Sequence, residues 1–254
     1  MVTKRATARK RPARRVGGPR SGERASRILA GLREAYPDAD CELAFRNPFQ
    51  LLIATILSAQ TTDKAVNSVT PQLFRSFPSA ARLARAEPSE IEPLISRIGL
   101  FRNKAKAIVG AARLIVERFD GAVPGERGAL ESLPGVGRKT ANVVLPNAFG
   151  VPGLAVDTHV SRVSGRLGLT RETDPKRIES DLTSVYDESD WCFVSHALIW
   201  HGRRICSARK PVCAECSLER LCPSSEIEAR HGVDARRNAG ASSGRGATDK
   251  GKKR

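Results

Sequence analysis

The chain has 254 residues, of which 40% are hydrophobic and 28% charged, so it is apolar enough to bury a core and is not a disordered polymer. Its net charge of +16 favours a polyanionic partner, usually nucleic acid. Residues 1–20 and 223–254 together carry +12 of this charge. The net charge therefore does not indicate what residues 21–222 bind. No apolar run reaches the roughly 18 residues of a membrane span. No apolar signal-peptide core is present either, so we expect a cytoplasmic protein with no membrane partner.

Helical signals begin near the N-terminus and follow each other along the chain. Residues 21–36 have an amphipathic pattern, and Asn47 and Pro48 predict the cap and the first residue of a second helix. That second helix is apolar nearly all round, which places it at the centre of a bundle. Asp63 and Ser79 predict the caps of the next two helices.

The remaining predicted elements are also helices. They cover residues 104–119, 127–132, 139–149, 158–167, 175–186 and 189–204. No segment has the alternating pattern of a strand, so the predicted fold class is all-α. We expect two lobes, one of residues 45–152 and one of residues 21–44 together with 153–222. The Gly-, Ser- and Arg-rich residues 1–20 and 223–254 are predicted to be disordered tails.

The segment Leu-Pro-Gly-Val-Gly-Arg-Lys-Thr at 133–140 lies between a short helix and an apolar one, as in a helix-hairpin-helix. Gly135 and Gly137 permit positive φ angles, and the free N–H groups that follow them can bind a phosphate oxygen. Arg138 and Lys104 are candidates for neutralising phosphates, although Lys104 is equally consistent with ordinary surface charge. A tight turn between two packed helices is the alternative interpretation. Pro146 should bend the following helix or end it early.

Lys139 is an unusual residue for the first turn of a helix, where the macrodipole disfavours a positive charge. Together with partial burial, this position favours the neutral amine, which is the nucleophilic form. Asp157 precedes the helix that starts at Thr158, so it is predicted to cap that helix. It is also a candidate acid–base partner for Lys139. Neighbouring His159 is given no chemical role.

Four cysteines lie within 17 residues, at Cys206, Cys213, Cys216 and Cys222. Such clustering in a cytosolic chain indicates a metal site rather than disulfides. Four thiolates suit a [4Fe–4S] cluster or a zinc ion, and the presence of only one close pair favours iron–sulfur. Cys41 and Cys192 lie outside the pattern and are expected to be small buried residues.

In combination and order, these motifs resemble endonuclease III of the helix-hairpin-helix glycosylase superfamily, over residues 22–222. The matching segments are LPGVGRKTANVV at 133–144, VDTH at 156–159, the cysteine-rich end, residues 57–63 and residues 98–100. The resemblance implies an active site in a cleft between the lobes, with Lys139 as nucleophile and Asp157 as catalytic carboxylate. It further implies that Gln60 and Leu100 enter the space left by an extruded nucleotide.

The same resemblance implies a [4Fe–4S] cluster on the four clustered cysteines. It implies a monomeric, nucleoid-associated enzyme that acts on double-stranded DNA with damaged bases or abasic sites. Such an enzyme would remove oxidised pyrimidines and cleave 3′ to abasic sites by β-elimination through a lysine Schiff base. The alternatives are an adenine mismatch glycosylase, which lacks the hairpin lysine, and a non-catalytic helix-hairpin-helix protein. A third alternative is a metal-sensing regulator, but this function would not explain the hairpin.

Overall fold

The computed structural model describes residues 19–225, and every regular element in that range is helical. The all-α class predicted from the sequence is therefore confirmed. The α-helices are α1 (Pro19–Ala35), α2 (Pro48–Leu57), α3 (Asp63–Ser76), α4 (Ala80–Ala84), α5 (Pro88–Ile95), α6 (Phe101–Arg118), α7 (Arg127–Glu131), α8 (Arg138–Phe149), α9 (Thr158–Arg166), α10 (Pro175–Val185) and α11 (Trp191–Arg204). Short 3-10 helices cover Glu188–Asp190, Cys213–Glu215 and Glu219–Leu221.

One apolar core is formed by residues 43–145, hereafter the hairpin lobe, and α2 lies at its centre. As predicted, α2 begins with Pro48, and the Asn47 side chain accepts a hydrogen bond from the Gln50 N–H at 2.9 Å. Nearly every side chain of α2 is buried, because α3, α6 and α8 all pack against it. A helix that is apolar on all faces requires such surroundings.

A second apolar core combines α1 with α9, α10 and α11, and is hereafter the cysteine lobe. Helix α1 packs against α10 and α11, so the first helix of the chain joins the last ones. Ala25, Ile28 and Leu32 form its fully buried stripe. Their spacing of three and four residues explains why this segment folds as a helix with one face in the core.

Several element boundaries differ from the predicted ones. Thr62, and not Asp63, caps α3, because the Thr62 side chain accepts from the Ala65 N–H at 3.3 Å. Helix α5 was not predicted at all. By contrast, α8 ends at Phe149 as predicted, where Gly150 closes it with φ of 66°, and Pro146 does not end it early.

The predicted disordered tails fall mainly on residues 1–18 and 226–254, which lie outside the described residues. At the inner edges of these tails, α1 begins at Pro19, two residues earlier than the predicted boundary, and residues 223–225 are described. Within the described range, no helix is both long and apolar enough to cross a membrane.

Candidate active site

The predicted hairpin is formed by α7, a turn at residues 132–137 and α8. Gly135 has φ of 78°, in the left-handed region that favours glycine. A Cβ atom at this residue would lie 3.0 Å from Cγ2 of Ile56 and 3.1 Å from Cβ of Ala107, so the turn is pressed against α2 and α6. Gly137 differs from the prediction, because its φ is −109° and the space around it is open. It is the N-cap of α8, where the first backbone N–H groups face outward.

Lys139 is the second residue of α8, and Asp157 is the N-cap of α9. A carboxylate oxygen of Asp157 accepts a hydrogen bond from the Val160 N–H at 2.8 Å, as expected of a cap. Lys139 is exposed, so the expected partial burial of this lysine is wrong. The two side chains line the same cavity and the same wider groove beside it, and so they face one space between the lobes.

The cavity has a volume of about 150 Å³ and lies between α2 and α8 of the hairpin lobe and α11 of the cysteine lobe. A cavity of this size accommodates a single aromatic ring. Thr55, Ser195 and His196 give part of its wall polar character. The Ser195 hydroxyl donates to the Ala155 carbonyl at 2.8 Å, which fixes the segment that leads to Asp157.

His196 lies in the cavity wall and is almost fully buried. Burial lowers the pKa of His196, because a charged imidazole would lose its hydration. The carboxylates of Asp40, Asp63 and Glu42 act in the opposite direction, and Arg203 adds to the lowering. No sequence motif distinguishes His196, which lies in the middle of α11.

Gln60 and Leu100, the two residues predicted to enter the duplex, share an uncommon backbone conformation. Their φ angles are 53° and 58°, and residues other than glycine seldom adopt such values. Both residues are exposed, and 56% of the Leu100 surface is accessible. Gln60 lies in the groove with Lys139 and Asp157. Each side chain is therefore held outward from a tight turn.

Two of the predicted phosphate-binding residues have protein partners instead. The Arg138 guanidinium donates two hydrogen bonds to the Glu179 carboxylate, both at 2.8 Å, and joins α8 to α10. This pairing raises the pKa of Arg138 and compensates its charge. Lys104 is only 5% exposed, so the interpretation as surface charge is wrong. Its ammonium group donates to the Thr61 hydroxyl at 2.6 Å.

Arg203 is a residue of this site that the sequence did not indicate. It projects from α11 between the cavity and the groove, and it pairs with Glu42 and with Asp63, the latter at 2.8 Å. Asp63 begins α3, so this pair also ties the two lobes together. The partners are 140 residues apart in the chain, which explains why no local pattern revealed them.

The four clustered cysteines line one cavity of about 80 Å³ in the cysteine lobe, and none of them forms a disulfide. Among the described residues, no group of three or more His, Cys, Asp or Glu side chains is arranged to hold a single metal ion. A [4Fe–4S] cluster binds its four thiolates on separate iron atoms, so the cavity that all four cysteines share is the observation that bears on it. Burial raises the pKa of the Cys216 thiol to about 11. The donor set and the shared cavity thus fit a cluster.

Arginine and histidine side chains surround this cysteine cavity. Arg166 donates to Sγ of Cys206 at 3.2 Å and to the Ser207 carbonyl at 2.7 Å. The Nε2 atom of His201 lies 3.6 Å from Sγ of Cys216, while its Nδ1 atom is hydrogen-bonded to the Tyr36 hydroxyl at 2.9 Å. Such donors would offset the negative charge of four thiolates.

A family model matches this architecture. Residues 53–188, which include the hairpin, Lys139 and Asp157, match the model described as "HhH-GPD superfamily base excision DNA repair protein". This match assigns the chain to a class of DNA repair proteins built on the helix-hairpin-helix.

Individual relatives narrow the assignment. Endonuclease III of Synechocystis sp. is 56% identical over 205 residues, which are 80% of this chain and 94% of that protein. The solved structures of a non-covalent endonuclease III–DNA complex and of a trapped endonuclease III–DNA covalent intermediate are each 42% identical to this chain. Each has a TM-score of 0.78 and is matched over 82% of this chain and 98% of its own.

The chain therefore belongs to the endonuclease III family of the HhH-GPD superfamily. The resemblance predicted from the motifs is confirmed, and so is the assignment to base excision DNA repair. The predicted enzyme class, DNA glycosylase with abasic-site lyase activity, is the class of this family.

Proposed function

We propose that this chain removes oxidised pyrimidines from double-stranded DNA and cleaves the abasic site through a Schiff base on Lys139. The observation that carries the proposal is the shared space of Lys139 and Asp157, which lie at the starts of two helices from different lobes. The relative solved as a trapped covalent intermediate with DNA supports a covalent route. We further propose that the enzyme acts as a monomer on DNA of the nucleoid.

The reaction starts with an extruded nucleotide, because a stacked base cannot reach a side chain in a cleft. The Lys139 amine attacks C1′ with its lone pair, and the bond from C1′ to the base breaks with its electron pair leaving on the base. Loss of the amine protons and opening of the sugar give a Schiff base between Nζ and C1′. Removal of a 2′ proton then breaks the 3′ C–O bond by β-elimination.

Asp157 supports these steps from the end of α9. Its carboxylate takes up a proton from the attacking amine and stabilises positive charge on the sugar. One oxygen is held by the Val160 N–H, so the carboxylate keeps a fixed orientation. Exposure of Lys139 in the free protein suits a nucleophile whose surroundings are completed by DNA.

DNA is held by the hairpin, whose first N–H groups of α8 face a phosphate; Gly135 allows the turn to pack on α2 and α6, and Gly137 leaves open space in which a phosphate can approach the backbone. Arg138 contributes to phosphate binding only if its pair with Glu179 opens. Gln60 and Leu100 fill the space of the extruded nucleotide.

Cys206, Cys213, Cys216 and Cys222 would hold a [4Fe–4S] cluster, as the resemblance implies. Bound there, the cluster would join the segment 206–222 to α9 and α11 and supply structural support to the cysteine lobe. Iron analysis and a broad visible absorbance of the purified protein test this assignment. Zinc without iron would contradict it.

Borohydride trapping on abasic duplex DNA tests the proposed reaction, because only a Schiff base is reduced to a stable adduct. Wild-type protein is expected to form the adduct. Lys139→Arg keeps the charge but has no nucleophilic amine, so it should form none, and Lys139→Ala should behave in the same way. Normal strand cleavage by either variant would refute the assignment of the nucleophile.

A further inference from the structure

Lys104 lies in the first turn of α6, directly after Leu100, and its side chain reaches across to the turn that carries Gln60. Its ammonium group donates to the Thr61 hydroxyl at 2.6 Å, directly beside Gln60. Its backbone N–H donates to the Leu100 carbonyl at 3.0 Å. One residue therefore contacts both turns, which are 40 positions apart in the sequence.

The Gln60 turn has its own hydrogen bonds that lead to the same hydroxyl. The Thr61 N–H donates to the Ser58 carbonyl at 3.0 Å, and the Thr61 hydroxyl is 3.4 Å from the Ala59 carbonyl. Once Lys104 has donated to that hydroxyl, the hydroxyl proton is directed towards Ala59. The residues on either side of Gln60 are thus fixed by the lysine.

Burial of Lys104 distinguishes it from a phosphate-binding lysine. It is 5% exposed, and within residues 19–225 no carboxylate pairs with it. Burial lowers the pKa of Lys104, because its ammonium group has lost hydration. The ammonium group is partly buried, and its hydrogen bond with the Thr61 hydroxyl fixes its position beside the Gln60 turn.

We propose that Lys104 is a positioning residue which holds the Gln60 and Leu100 turns in one fixed arrangement, so that both side chains enter the duplex as a unit. This inference rests on the proposed function. Left-handed turns of non-glycine residues persist only when their surroundings hold them in place. Here the local hydrogen bonds of each turn are joined by the side-chain hydrogen bond that crosses from α6 to the turn before α3.

A double-mutant cycle tests the inference. Lys104→Met removes the donor with little change in length, and Thr61→Val removes the acceptor with little change in shape. Each is expected to lower kcat/KM for base removal from duplex DNA by about 10- to 100-fold, because misplacement by about 1 Å has effects of that size. The double variant should be no worse than either single variant, since both remove the same bond.

Two control variants separate this role from others. Thr61→Ser keeps the hydroxyl and should retain activity. Lys106→Met removes an exposed lysine from the same helix and reports on the loss of charge alone. If Lys104 bound a phosphate, its loss would reduce the slope of log affinity against log salt by about 0.9, and Thr61→Val would not reproduce this effect. That result would overturn the proposal.

A fluorescence measurement reports directly on the duplex. With 2-aminopurine opposite a stable abasic analogue, wild-type binding should unstack the probe and raise its fluorescence, and Lys104→Met and Thr61→Val should both reduce this rise. Additive losses in the cycle, or an unchanged rise, would refute the inference. If wild-type protein formed no borohydride adduct, the proposed function would fail instead, so the two failures are distinguishable.

Discussion

Replacing Gly135 by alanine is expected to destabilise the protein, while the same change at Gly137 is not. At Gly135 the φ of 78° costs alanine about 1–2 kcal/mol. The added methyl group would also lie within 3.1 Å of Cβ of Ala107 and within 3.0 Å of Ile56, neither of which can turn away without moving a helix or the core. Such overpacking costs a further ~1–3 kcal/mol.

The free energy of unfolding should therefore fall by about 3 kcal/mol, and the Tm of a domain of this size by roughly 6–12 °C. At Gly137 the backbone is extended and nothing lies within 4 Å of the new methyl group. There, alanine is a weaker N-cap than glycine, which lowers stability. Alanine also reduces the conformational entropy of the unfolded chain, which raises stability. The two effects nearly cancel and leave a change below about 1 kcal/mol. Thermal and urea unfolding of both variants measure the difference. Equal Tm values for the two would refute this account of the turn.

Three further predictions concern the surroundings of the active site. Asp157→Asn should leave the Tm nearly unchanged, because asparagine caps a helix as well as aspartate, yet slow single-turnover base removal by about 100-fold or more. His196 has a lowered pKa in the folded state, so the unfolded state binds the extra proton and stability should fall as the pH drops below about 6.5. His196→Gln should weaken that decline in Tm measured between neutral and mildly acidic pH. Arg138→Gln leaves the Glu179 carboxylate buried without its partner and should lower the free energy of unfolding by about 1–3 kcal/mol. Glu179→Gln frees the guanidinium, so a gain in DNA affinity, read by fluorescence anisotropy, would show that Arg138 can bind phosphate.

Local sequence signals predicted the elements whose ends depend on local chemistry. Asn47 with Pro48 and the Ser79 cap were found because their side chains bond within their own first turn. Helix α5 was missed because its N-cap is Glu87, and glutamate is not a usual capping residue. In the structure, the Glu87 N–H donates to the Glu90 carboxylate at 2.7 Å, as in a capping box. The residue that indicates the start of this helix is therefore Glu90, three positions after the N-cap.

The sequence supplied the candidate site residues, but it did not show their surroundings. The motifs predicted roles for Lys139, Asp157 and the cysteines. In the structure, Lys139 and Asp157 line the same cleft. The burial of Lys104 and the position of Arg203 depend on contacts with residues 43 and 140 positions away. No periodic or capping pattern reports such contacts, which form only when the helices pack.

The hydrogen bonds around α8 explain how an exposed lysine can be precisely placed. On one side of Lys139, Arg138 is bound to Glu179 of α10. One turn later, the Asn142 amide donates to the Leu154 carbonyl at 2.8 Å. The start of α8 is therefore attached to the cysteine lobe on both sides of Lys139, while α8 itself packs against α2 of the hairpin lobe. Only the flexible part of the lysine side chain is free to move, so the amine can follow the sugar while its origin stays fixed relative to Asp157.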